Sequence, residues 1–572
     1  MSSVSGKLIT RNYADFLGVD FSNRKDEISL RRSPDALNVW KNYKSTYGKG
    51  IETRPGLDLK DTFDAKIYGI FEYEINTNKH LIVHSGTKLY DYYNNTKTQI
   101  ATGLNPAISK SFIYNNIFFF KDGLNYKEYN GSTCTNVVGY VPRTSISRGA
   151  NGGGTQLEDV NLLSDFRINE FVADGTSTKY HLDTANIDND YVPDVWVDGV
   201  KKTVTTDYTV NYTGDGLGAY IDFVTAPDIP LTDGQDNIKV QYKKAITGYK
   251  DRILKCSLLE VFDNRVFFSG NIDYPSTIFH SSLNNPRYVS DTDYYTEGMD
   301  ASRVKALVTG NNALWVIKEP SQANTTIYYH TPAIDSELGK TYPSNHSSIS
   351  TGCVSTGINF RDDIVFFSEM GLEGISGDIT TEQVVAHRSS LVDSKLVNET
   401  HYKNMIVLEW EGYLLVVIDN KIYLADSRAK TQINDHIEYE WYYWEMEENI
   451  TYANVVNGKL YLCSDSKLYE LTEKDVVAYW TTLADEFMYP NYRKITNKKG
   501  CVTDIEGDIT IYAKQDNGKF IKINEYKNKK GYVVPKIKMK KWKSIQLKFY
   551  SKKRFQLYSS TLEAYVGSYV KR

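Results

Sequence analysis

Residues able to do chemistry are present in this chain, but few are spaced for it. Its nine histidines are scattered, with neither an HExxH nor an HxH pair, so no zinc site is expected. No Gly-x-Ser-x-Gly elbow and no GxxxxGK[ST] loop appears, which removes the usual footing for hydrolase and nucleotide chemistry. Asp188-Asn189-Asp190 and Asp291-Thr292-Asp293 look like fragments of calcium loops whose other ligands are missing, and read better as solvated turns. A carboxylate pair for glycoside cleavage is set by distance in space, so sequence leaves it open. The five cysteines, Cys134, Cys256, Cys353, Cys463 and Cys501, are odd in number and never paired as CxxC. They read as free thiols made in a reducing cytoplasm. No catalytic residue, metal or cofactor is expected.

Two stretches remain for binding. Glu438–Met446 is the richest aromatic run, and its residues 439–444 could stack against glycan rings or bases. The plainer reading is a strand packed on its neighbours. The second stretch is basic. From Asn491 onward, 21 Lys and Arg face 6 Asp and Glu, a net charge of about +15 within a chain of net −4. Lys529, Lys530, Lys540, Lys541, Lys543, Lys552, Lys553 and Arg554 are the candidate interface. Such a split implies an acidic partner, nucleic acid or the acidic face of a neighbouring copy. The alternative is a set of sheet edges charged against aggregation.

The elements that must position these residues are strands. Tyrosine occurs 45 times, aromatics make up 13% of the chain, and no long apolar stripe at helical spacing appears. No run of eighteen apolar residues exists, so no membrane span is expected, and the first residues lack the pattern of a secretory leader. Val261–Gly270 reads as strand, two-residue Asp-Asn turn, strand. The unit recurs at Tyr114–Phe120, Thr309–Val316, Phe360–Phe367, Ile418–Leu424 and Val456–Leu462. Smaller elements follow at Gly86–Tyr90, Gly371–Ile375 and Ser466–Leu471. A period of roughly 40 to 50 residues, with one large gap, is the signature of propeller blades, and favours them over a large sandwich.

The fold expected is therefore all-β: a β-propeller with an inserted β-sandwich and a C-terminal sandwich-like region. Residues 1–60 form an extended arm, interrupted by Pro34 and Pro55 and anchored chiefly by Trp40. Residues 61–145 hold the first blades. Arg148–Thr155 is a flexible linker, and the gap at 165–247 is filled by the insert, with strands near Thr205–Tyr212, Tyr220–Phe223 and Ile238–Tyr242. Blades resume over 250–478, and 479–572 form the basic β domain, with Leu557–Val566 as paired edge strands.

The early Ser33–Asn38 (SPDALN) followed by Glu52–Gly56 (ETRPG), ahead of blade repeats, resembles the tail nozzle proteins of double-stranded DNA bacteriophages. These are also called tail tubular, tail hub or packaged-DNA stabilisation proteins. Asp263–Asn271 and the ADG, VDG and DYTVN motifs of the insert are similar to phage virion modules. The resemblance implies a structural virion protein, made in the host cytoplasm and placed in the tail at the head–tail connection. It would form a homo-hexamer below the portal and adaptor rings, beside tail fibre or other tail proteins, with double-stranded DNA passing through its lumen during ejection. Arg31, Arg32, Pro34, Asp35, Trp40 and Arg54 then become a candidate docking arm, and an acidic lumen would keep DNA from sticking. The competing readings are a glycan-binding or glycan-cleaving propeller of the tail, and a plain protein-interaction propeller.

Overall fold

The computed structural model describes residues 6–44, 50–322, 325–335, 339–347, 349–376, 384–433 and 436–569. Residues 1–5 of the leading segment read for a secretory leader lie outside them. Strand accounts for 54% of the chain and helix for 2%. The fold is all-β and of the β-propeller class.

The repeating unit forms as its sequence dictates. Leu258–Phe262 and Arg265–Ser269 pair in antiparallel register around Asp263 and Asn264, at φ 49° and 58°. Two successive left-handed residues make the turn whose twist matches the flanking strands. Asn115–Asn116, Asn311–Asn312 and Asn457–Gly458 repeat it. Arg361–Asp362 does so too, at 53° and 67°, although a bulky residue is uncommon there. At the Ile418–Leu424 unit only Asp419 of the turn pair is left-handed.

The chain divides into two compact units. The first comprises residues up to Gln99, Glu319–Ile327 and Ser347 onward. It holds four blade sheets: Ile67 to Thr102, Gly357 to His387, Ile406 to Glu445, and Tyr452 to Thr472. The last is completed from the opposite end of the sequence, because Gly56–Thr62 pairs along Lys467–Thr472. The expected boundary at residue 60 therefore runs through a blade strand. Gly18–Val19 and Arg32–Ser33 widen the Ile406 to Glu445 blade to six strands.

The same unit carries a ten-stranded sheet made from both chain ends. Its path runs Ala36–Leu37, Ala478–Thr481, Ile545–Ser551, Tyr492–Gln515, Phe555–Tyr569, Ile51–Thr53 and Val39–Trp40. Only Asn38 separates the first strand of the path from the last along the sequence. The arm is thus part of this sheet and of a blade, not a free extension. Phe555–Tyr569 pairs with Leu8–Ala14 as well as with Tyr492–Gln515. It is an interior strand, and the expectation of paired edges at Leu557–Val566 is corrected. A lateral edge is instead Ile521–Val533, which pairs only with the 24-residue strand Tyr492–Gln515.

The second unit, Ile100–Lys318 with Tyr328–His346, holds three blade sheets and the insert. The insert has a six-stranded and a three-stranded sheet around Phe171, Tyr180, Val195, Ile221, Val240 and Tyr242. It begins earlier than expected. Arg143–Arg148 and Thr155–Gln156 belong to its larger sheet, so Arg148–Thr155 is no flexible linker. The buried Arg148 guanidinium donates to the Ser145 hydroxyl and to the carbonyls of Gly153 and His181, and Gly149 and Gly152 bridge to each other.

Candidate interaction surface

Of the arm residues, Arg32, Trp40 and Arg54 are drawn inward. Arg32 is buried and donates two bonds to the fully buried Glu440, from Nε at 2.9 Å and from an Nη at 2.6 Å. Burial by itself would lower the Arg32 pKa, but the Glu440 carboxylate raises it above its ordinary value. Trp40 stacks on Trp410 at 5.4 Å and meets Trp444 edge-on at 5.6 Å. Asp35 is exposed and accepts a bond from the Tyr479 hydroxyl at 2.9 Å. Arg31 is exposed, its Nε donating to the Asp15 carbonyl, and Pro34 is half-buried.

Arg54 and Asn38 form the junction between the two end strands of this sheet. Asn38 sits at φ 57°, which Asn tolerates better than most residues. Its side-chain amide donates to the Val477 carbonyl at 2.9 Å, and its side-chain oxygen accepts from Glu445 N and Arg54 Nε, both at 2.8 Å. Arg54 also donates to the carbonyls of Pro55 and Glu445. Burial pushes its pKa down to about 10, and the Glu447 carboxylate opposes that shift, so it holds its charge at neutral pH. The SPDALN and ETRPG segments, 16 residues apart at this pair, thus meet in one hydrogen-bonded knot. Asn38 and Glu440 were missing from the residues expected to matter. Asn38 stood within its motif, whereas nothing local marks Glu440, which is 408 positions from its partner.

The basic region lies open by contrast, but its charges differ in kind. Lys530 reaches Glu506 at 3.0 Å, Lys543 reaches Glu486 at 3.3 Å, Lys553 reaches Asp508 at 3.8 Å, and Arg554 pairs with Glu473. Lys529, Lys540, Lys541 and Lys552 are exposed and have no ion pair among the described residues. Lys536 and Lys538, outside the expected set, share that condition. The signal was there: Lys536, Ile537, Lys538, Met539 and Lys540 alternate with a period of two.

Other expectations resolve plainly. The aromatic run is no platform, because Tyr439, Trp441, Tyr442, Tyr443 and Trp444 are all buried in a blade strand. Rings this large are worth more inside the core than in water. The acidic turns are used internally: Asp188 accepts from Ala245 N, Asp190 pairs with Lys243, and Asp291 accepts from the Tyr249 hydroxyl. Burial raises the Asp293 pKa to about 6. Among the described residues no cluster of three or more His, Cys, Asp or Glu is placed to hold a metal ion. All five cysteines are unpaired.

No protein-family model matches the chain, and no curated protein does. Solved structures with some likeness include BamB from Moraxella catarrhalis, at 10% identity over 74% of this chain and 98% of that one, with a TM-score of 0.33. The WD40 domain of SCAP from fission yeast follows at 8% identity, 73% and 97% coverage and a TM-score of 0.27. An exo-β-1,3-galactanase from Phanerochaete chrysosporium, at 10% identity, 53% and 94% coverage and a TM-score of 0.22, is also similar. Such values bear on neither substrate nor partner.

Proposed function

We propose that this chain is a structural subunit of a bacteriophage tail, a ring-forming nozzle or hub component. It would extend the DNA channel below the portal and adaptor and help retain and conduct the genome, as a homo-hexamer without cofactor or catalysis. The observation that carries the reading is the Asn38–Arg54 knot, where the two segments bearing the family resemblance meet. They join early and late segments of the sequence in one sheet and complete a blade. A virion part has to stay folded under load, and pairing between segments far apart in the sequence ties the fold together.

The test is mass photometry with negative-stain imaging of the purified chain over a range of protein and salt concentrations. A six-membered ring with a central hole wide enough for DNA is expected, either alone or after mixing with the portal and adaptor. A chain that stays monomeric in both conditions overturns the reading.

A further inference from the structure

The cations of the C-terminal sheet fall into two populations. Eight of the 19 described Lys and Arg after Asn491 have a carboxylate, among them Lys522 and Lys527 facing Glu525, Lys530 facing Glu506, Lys548 facing Asp35 and Lys553 facing Asp508. Lys536, Lys538, Lys540 and Lys541 are consecutive in their lack of one among the described residues, and all four are exposed. An exposed lysine run normally gathers counter-charges on its own surface. A run that has none keeps its field for something else.

Buried neighbours set Lys536, Lys538 and Lys540 on the outer side of the segment, and Lys541, at φ 57°, follows them. Ile537 and Trp542 are fully buried and Met539 nearly so, so the lysines between them must point outward. Thr496 pins the segment from beneath. Its hydroxyl donates to the Ile537 carbonyl and accepts from Met539 N, both at 2.9 Å, while Thr496 N donates to the Met539 carbonyl at 3.0 Å. Trp542 packs edge-on against Phe487 at 5.2 Å. In a strand, alternate residues recur at roughly 7 Å, a spacing of the same order as successive phosphates along a nucleic-acid strand. Lys540–Trp542 is strand, and Lys541 departs from the alternation. The backbone, not the ligand, has already met the entropy cost of aligning them.

We propose that Lys536, Lys538, Lys540 and Lys541 form a strip that binds the phosphodiester backbone of nucleic acid without regard to sequence. Lysine suits that role, since it offers a point charge and no base-specific fork. It suits the centre of a protein interface poorly, because such centres are depleted in lysine and built on apolar anchors. Here the apolar residues between the lysines face the core. The exposed Ile495 and Tyr565, in register beside Lys540, border the strip at one point only. The inference does not depend on ring formation, because every residue in it belongs to one chain.

The experiment is fluorescence anisotropy of the full chain with a labelled, mixed-sequence DNA duplex across ~50 to ~200 mM salt. Wild type should bind and weaken steeply with salt. The triple variant K536S/K538S/K540S should lose about tenfold or more in affinity, and its slope of log K against log salt should fall by about 2.7, for three released counterions. Replacing the same three lysines by arginine should retain binding. Removing three paired lysines, K522S/K530S/K553S, should leave the slope within about one unit of wild type. The proposal is overturned if wild type does not bind at the lowest salt, or if the strip and control variants lose equally. It is also overturned if poly-glutamate at matched charge displaces the strip-bound duplex as well as unlabelled DNA does, which would assign the strip to an acidic protein. Mass photometry of the same samples reports assembly separately, so a failed ring and a failed strip are distinguishable.

Discussion

Two basic stretches of this chain, the arm around Arg32 and Arg54 and the strip from Lys536 to Lys541, meet opposite fates. Arg32 and Arg54 are buried, and their guanidinium groups donate to Glu440, Asn38 and backbone carbonyls. The strip cations stand in solvent with no ion pair among the described residues. Arginine serves the first role because a planar fork can satisfy several acceptors at once, and lysine the second because a hydrated ammonium resists burial. Positive charge in a sequence therefore says little by itself; the residue type and the hydrophobic company it keeps say more.

The comparison breaks most visibly at Arg32. Arg32→Met should cost about 3–5 kcal/mol, because Glu440 would be left buried and unpaired. The double variant R32M/E440L should recover much of that loss in urea melts. A single variant that melts like wild type would mean the pair carries no structural weight. Next comes Arg54→Lys, expected to cost about 2–3 kcal/mol despite keeping its charge, since one ammonium cannot replace the fork between Asn38 and two carbonyls. Equal stability of the lysine variant would show that charge alone is needed there.

A third test concerns a cation that the sequence did not single out. Burial by itself would lower the His387 pKa, but Asp393 and Glu373 outweigh it and raise it to about 10. A group raised in the folded state stabilises fully below its unfolded pKa of about 6.5, and that contribution is lost as pH rises through the folded value. His387→Gln should therefore melt below wild type at pH 6, by an amount worth about 2 kcal/mol, and the gap should close near pH 10. A gap that is constant with pH would assign the loss to packing. The smallest effect belongs to the strip: K536S/K538S/K540S should leave stability within about 0.5 kcal/mol of wild type, sharpening the contrast with the arm.

How far the sequence could be read varies with the range of the interaction. The hairpins were legible because Asp263–Asn264 and Asn115–Asn116 carry their own turn chemistry, and the insert because its Asp-Gly turn and strand spacing break the repeat. Arg148–Thr155 misled, since glycines that look like a linker serve a tight turn capped by a buried arginine. The aromatic run fits either a platform or a core strand by composition, and only burial separates them.

What the sequence determined by itself is local: strand over helix, the hairpin turns, the repeat and its interruption, and the concentration of positive charge after Asn491. Turn geometry and alternation are fixed within a few residues, so they survive without a partner. Tertiary structure alone decided that Gly56–Thr62 completes a blade more than 400 residues away and that Asn38 links the two end strands of a sheet built from early and late segments. It also decided which lysines keep a free charge. Those outcomes depend on distant strands competing for the same edges and on which carboxylates arrive beside which cations. Neither is encoded in the spacing of neighbours along the chain.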